Sequence, residues 1–298
     1  MRAPRSFSFG VWAPFALAAV CAALVANPAA RRAVDARLND PAGLPTLARD
    51  SRIHYQPAVI GCAREVAAVL PGAMERVQSR QGRPFVRQPI VGVYASFGDY
   101  ARANGLGDAG VAATARDGRI MLSPTLCGEE RDRLAGVLAH ELSHNHLFGW
   151  RGARGGPLPS WFSEGLAVMV SDGGAAEGLT DEEARIALRE GYAIVVDDDG
   201  LWRSFADIRF EREPTKRESD ADIVTTRQRL AFRQAALFVA WLRDGAPEAF
   251  AGLLNRLEDG EAFAAAFQMS YSASVVDQWR RFRPRHSRPP LGSAGAAK

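Results

Sequence analysis

Five residues near the middle of the chain, His140-Glu141-Leu142-Ser143-His144, constrain its fold more than any other feature. On an α-helix, residues four apart lie one turn along the same face, so both imidazoles point to one place with Glu141 beside them. Such a pair can share a metal ion, but two ligands do not close a site. A third protein ligand must then arrive from another element. The flanking residues suit a helix. Leu134, Val137, Leu138 and Leu142 recur at helical spacing, while Glu129, Glu130 and Asp132 put negative charge where a helix dipole favours it. With Gly149 as the stop, the spacing predicts a helix over residues 129–147. At this composition the pattern is expected by chance only about 0.005 times.

The search for a third ligand leads downstream. Four glycines between Gly149 and Gly156 allow the chain to reverse, and Leu158-Pro159-Ser160-Trp161-Phe162-Ser163-Glu164-Gly165-Leu166-Ala167 follows as a second helix opened by Pro159. Glu164 is the only acid between Glu141 and Asp172. His146 is nearer in sequence, but two residues beyond His144 it points roughly 200° around the helix, on the opposite face.

An HExxH helix, a glycine-rich turn and then Trp-Phe-x-Glu-Gly-Leu-Ala resembles the gluzincin zinc metallopeptidases, and most closely the bacterial peptidase-MA-like group. The resemblance covers residues 90–280. It implies that His140, His144 and Glu164 bind one zinc ion (Zn2+) and that Glu141 is the general base in peptide-bond hydrolysis, with a peptide or protein as substrate. It also implies that a strand resembling Gly118 to Ser123 forms the edge of the cleft. Two neutral imidazoles and a carboxylate leave a net positive metal, which acidifies a bound water and polarises a carbonyl. Many gluzincins place a tyrosine or histidine near the metal for the oxyanion, and here Phe232 stands where that tyrosine belongs, with Tyr192, Arg233 or Gln234 as substitutes. The alternative is a catalytically weak or inactive zinc-binding protein, acting as a membrane-tethered binding or scaffold module. An exopeptidase would need an acidic anchor for the substrate amine, and no residue stands out as one.

The remaining sequence sets the frame. Residues 6–30 contain no charged side chain and follow Arg2 and Arg5, so residues 1–30 read as a signal peptide or an N-terminal membrane anchor. Residues 31–50 read as a linker leading away from the membrane, with Pro41, Gly43 and Pro45 among charges. Export across a bacterial inner membrane permits a disulfide, and Cys62 and Cys127 are an even pair. The domain proper is expected at 51–283. Its 51–128 part is α/β, with a pair of helices broken at Pro71-Gly72 and strands at 89–95 and 118–124. Its 129–283 part is mainly helical. The class is α+β, a small mixed sheet with an edge strand beside the HExxH helix.

Residues 172–222 carry fifteen acids against seven bases. They read as a solvent-exposed face or, more sharply, as a flap favouring basic substrates. Thr180 caps a helix within this stretch, and Asp197-Asp198-Asp199-Gly200 is a solvated turn without the ligand spacing of a calcium loop. Phe250, Phe263, Phe267 and Trp279 are core candidates, and 284–298 reads as a disordered basic tail. Thirty-seven basic and 34 acidic residues give a charge of +3, too little to argue for nucleic acid on bulk charge, and no nucleic-acid partner is expected.

Overall fold

Short apolar runs alternate sides, and in the computed structural model they pair into one five-stranded mixed sheet of order β1-β2-β3-β5-β4. The structure describes residues 27–283 except 153, 155, 203–204 and 215–219. Apart from residues 27–30, the expected signal or anchor lies outside the described residues, as does the expected 284–298 tail. The strands are β1 (Thr46–Leu47), β2 (Asp50–Tyr55), β3 (Ile90–Val93), β4 (Ala113–Arg116) and β5 (Arg119–Leu122). β2, β3 and β5 are parallel, while β1 and β4 run antiparallel at the two edges. Period-two alternation sends Ile120 and Leu122 into the main core and Met121 to the other face, against Tyr94 and Tyr100.

The sheet corrects one expectation about the cleft. Segment 118–123 is not its edge: β5 lies inside, and β4 is the strand beside the cleft. Asp117 and Gly118, with φ of 51° and 81°, form a two-residue hairpin that folds β4 back on β5. Ala113-Thr114-Ala115-Arg116 has no aliphatic alternation to announce a strand, so pairing with β5 alone defines it.

Three helices accompany the sheet: α1 (Pro28–Leu38), α2 (Ile60–Gln81) and α3 (Phe97–Ala103). The expected linker is largely structured. Asn27 caps α1, Ala36 is buried, Asp40 pairs with Arg119 at 2.7 Å, and Pro41 packs on Gly92, where any side chain would collide with it. The expected pair of helices is the single helix α2, running through Pro71. Its buried stripe of Ala63, Val66, Ala67, Leu70, Met74 and Val77 spans both sides of the proline, so packing outweighs the lost hydrogen bond. By length and composition residues 57–81 would also span a membrane, yet that stripe belongs to the core.

The motif helix is α4 (Leu134–Arg151), shifted from the expected 129–147. Residues 124–133 form two 3₁₀ turns, and Glu130 pairs with Arg133 instead of sitting in an α-helical first turn. Gly149 is carried inside the helix, and Gly152, with φ of 64°, ends it. Then come α5 (Ser160–Val170), α6 (Asp181–Arg189), α7 (Asp220–Gly245), α8 (Pro247–Glu258), α9 (Phe263–Tyr271) and α10 (Val275–Phe282). Thr180 and Glu183 make the expected cap of α6 as a reciprocal capping box. Phe250, Phe263, Phe267 and Trp279 are buried with Trp161, Phe162 and Phe238 in the core that joins sheet and helices.

Cys62 at the start of α2 is bonded to Cys127 in the turn before α4, a separation of 65 residues. Closing so long a loop restricts the unfolded chain and stabilises the fold by about 2–4 kcal/mol. Replacing both cysteines with serine should therefore lower the Tm by roughly 5–15 °C in thermal denaturation. The same drop should appear on adding reductant to the wild type.

Candidate metal centre

α4 carries His140, Glu141 and His144 on its buried side, and α5 brings Glu164 against them. His144 Nε2 lies 3.1 Å from His140 Nε2, and Glu164 Oε2 lies 3.3 Å from His140 Nε2 and 3.5 Å from His144 Nε2. All the ligand-type atoms of this trio fall within 4.8 Å of one another, the only such cluster found among the described residues. The donor set of two imidazoles and one carboxylate fits a zinc ion with a position left open.

Close backbone approaches make this convergence possible. On α5, Gly165 packs so tightly on α7 that a Cβ there would lie 2.6 Å from the Ala235 carbonyl oxygen. After α5 the chain bends back over α4, where a Cβ on Gly174 would lie 2.2 Å from the Gly136 carbonyl oxygen. That bend delivers the Gly174 carbonyl to His140, whose Nδ1–H donates to it over 3.0 Å. Since a carbonyl only accepts, the proton is fixed on Nδ1 and the Nε2 lone pair faces the other two groups. Gly136 and Gly174 carry no chemistry and escaped the sequence reading. The adjacent glycines Gly173 and Gly174 are the one sequence signal from which a close approach there can be read.

The electrostatics follow from burial and mutual contact. Burial alone lowers the pKa of His144, but the adjoining Glu164 and then Glu141 raise it to about 9. Burial raises Glu164, yet the charge of His144 and its close contacts with both imidazoles hold it well below the usual carboxylate range. Glu141 goes the other way. Its burial dominates and raises its pKa, against the lowering effect of His140 and His144 and of a backbone hydrogen bond at Ala115 of β4.

His146 turns away, as its helical phase requires. It is buried against Phe85, its Nε2–H donates to the carbonyls of Arg83 and Pro84, and its Nδ1 lies 2.8 Å from the Gln81 side-chain oxygen. Phe232 stacks on His140 with ring centroids 6.4 Å apart and on Trp202 at 6.0 Å, so a phenyl ring faces the centre. None of its three expected substitutes lines the cleft. Gln234 is buried, donating to the Tyr192 carbonyl and accepting from the Ile194 N–H; Arg233 pairs with Asp181; and the Tyr192 ring lies under Arg212.

A cleft of 680 Å³ opens over the centre between β4 and residues 228–232 of α7. The arginines Arg116, Arg133 and Arg229 line it with Gln228, while the 172–222 segment contributes only Ala175 among the described residues. Several of its acids pair away from the cleft, Asp172 with Arg76 and Arg80, Asp181 with Arg233, Asp197 with Arg209 and Glu213 with Arg227, while Glu177 pairs with Arg133 of the cleft wall. Among the described residues, no acid of this segment lines the cleft.

Gly165→Ala forces α5 and α7 apart beside Glu164, and overpacking of this kind costs about 1–3 kcal/mol. A midpoint in urea unfolding equal to that of the wild type would show that this approach does not hold Glu164 in place. Compared with known proteins, the chain matches no family model, no curated protein and no solved structure.

Proposed function

We propose that this chain is a zinc-dependent peptidase of the gluzincin type, exported across a bacterial inner membrane. The observation that supports this most is the convergence of His140, His144 and Glu164, with Glu141 beside them, at the floor of a cleft edged by an open strand. His140, His144 and Glu164 would hold the zinc, which when bound acidifies a water and polarises the scissile carbonyl. Glu141, its pKa raised by burial, takes up the proton released there and passes it to the leaving amine. The Gly174 carbonyl keeps His140 in the ligating tautomer. An extended peptide lies along the outer edge of β4, where the sheet ends and a further strand can add. The Cys62–Cys127 bridge supports residence in an oxidising compartment.

Phe232 favours a second reading. With a phenyl ring stacked on His140, the oxyanion has no hydroxyl from this position, which suits a zinc-binding protein that is slow or silent and serves as a membrane-tethered binding module.

The two readings part in one experiment. Purified residues 27–298 should hold about one zinc and cleave an unbiased peptide library, with Glu141→Gln keeping the metal and losing about 10²–10⁴-fold in rate. Cleavage unaffected by that substitution would remove Glu141 from the mechanism, and zinc without cleavage in the wild type would favour the binding module. Glu164→Ala should weaken zinc binding, and unchanged affinity would remove it from the ligand set.

Metal binding should also depend on pH. Because Glu164 raises His144 to about 9, the metal-free protein carries a proton there at neutral pH that zinc must displace. Apparent zinc affinity should rise between pH 6 and 8 by up to about tenfold per unit and level off above His144's folded value. In the metal-free protein the sign is opposite: a raised histidine stabilises fully below its ordinary value, and this is lost as pH rises through about 9. Zinc titrations monitored by a competing chelator at several pH values test the first slope, and urea unfolding of the metal-free protein tests the second.

A further inference from the structure

Six charged side chains line the cleft: Glu130, Glu141, Glu164, Arg116, Arg133 and Arg229. Glu141 and Glu164 belong to the metal centre. Arg133 is held between Glu130 and Glu177, and Arg116 reaches Asp117 at 3.4 Å and the Ala103 carbonyl. Arg229 differs from these. Although half-buried, it has neither an ion-pair partner nor a hydrogen-bond acceptor among the described residues.

Its position ties it to the reaction centre. Arg229 lies on α7 one turn before Phe232, the residue stacked on His140, and residues three apart share a helix face. Their Cα atoms are therefore only about 4.5 Å apart along the helix axis. One guanidinium nitrogen rests 3.4 Å from where a Cβ on Gly178 would stand, and Gly178 has a φ of +80° that favours glycine. No side chain is interposed between the guanidinium and that loop. A guanidinium stays charged at every physiological pH, and in a partly desolvated cleft its natural complement is a carboxylate, which it grips through two parallel hydrogen bonds.

We propose that Arg229 is the specificity-determining residue of this cleft and that it receives a substrate carboxylate close to the scissile bond. This rests on the peptidase reading and adds its substrate class: peptides with an acidic residue, or a free C-terminus, near the point of cleavage. The Arg229 charge also disfavours a lysine or arginine at the same position.

The test uses peptides in matched pairs. In one arm both termini are blocked and an internal Glu is replaced by Gln; in the other the C-terminal acid is replaced by its amide. Cleavage is measured as kcat/KM in the wild type and in Arg229→Gln. Binding of the same pairs is measured by fluorescence polarisation on the zinc-loaded Glu141→Gln protein, with and without Arg229→Gln. Zinc content and circular dichroism confirm that each variant is folded. The expected result is a preference of about tenfold or more for the acid member in at least one arm, falling to about twofold or less in Arg229→Gln. The arm that shows it identifies a side chain or a terminus as the source. A ratio near one in both arms, an unchanged ratio in Arg229→Gln, or no binding of any peptide overturns the proposal. A tenfold binding preference with no cleavage by the wild type upholds the carboxylate site while overturning the peptidase reading.

Discussion

The hydrogen bond from His140 Nδ1 to the Gly174 carbonyl, over 3.0 Å, is the contact on which the site depends. It fixes which nitrogen of His140 carries the proton and so which one faces His144 and Glu164. The carbonyl is in place only because the chain after α5 lies directly on α4, with Gly174 against Gly136. The carboxylate opposite is in place only because α5 lies directly on α7 at Gly165 and Ala235. Three helices thus meet through backbone, and larger residues at these positions would separate the groups that carry charge.

Charge is arranged in the same economical way. Several acids of residues 172–222 pair with arginines of α2, α7 and their own segment, and most of these pairs are exposed enough to be worth little individually. What they leave is a cleft whose walls carry guanidinium groups and whose floor carries carboxylates held by imidazoles. The local composition of a segment was a poor guide to the charge of the site beside it, because Asp172 and Asp181 are turned away from the cleft.

Legibility followed the length scale of each interaction. The helix bearing the motif, the phase of His146 and the capping box at Thr180 and Glu183 all depend on residues within two turns of one another, and all could be read from spacing. The helix boundaries were less legible. Glu130 looked like a first-turn acid and instead pairs with Arg133 in a 3₁₀ turn. The strand β4 and the structured 28–50 segment were missed for one reason: alanine-rich or proline-rich stretches acquire structure from partners distant in sequence, β5 in one case and Gly92 and Arg119 in the other. Pro71 was read as a break because its local cost is evident, whereas the packing that offsets it belongs to the whole core.

By itself the sequence determined that His140 and His144 share a helix face with Glu141 beside them, because a period of 3.6 residues leaves no alternative once the helix forms. It also singled out Glu164 by the scarcity of other acids nearby and Cys62 with Cys127 by parity. Only the tertiary structure decided that Glu164 comes within 3.3–3.5 Å of both imidazoles, that β4 and not β5 borders the cleft, and that Arg229 stands in it without a counterion among the described residues. The division has a physical basis. Helical phase is set by local backbone geometry, while distances between elements are set by how closely their surfaces pack, and here that is decided at Gly136, Gly165 and Gly174.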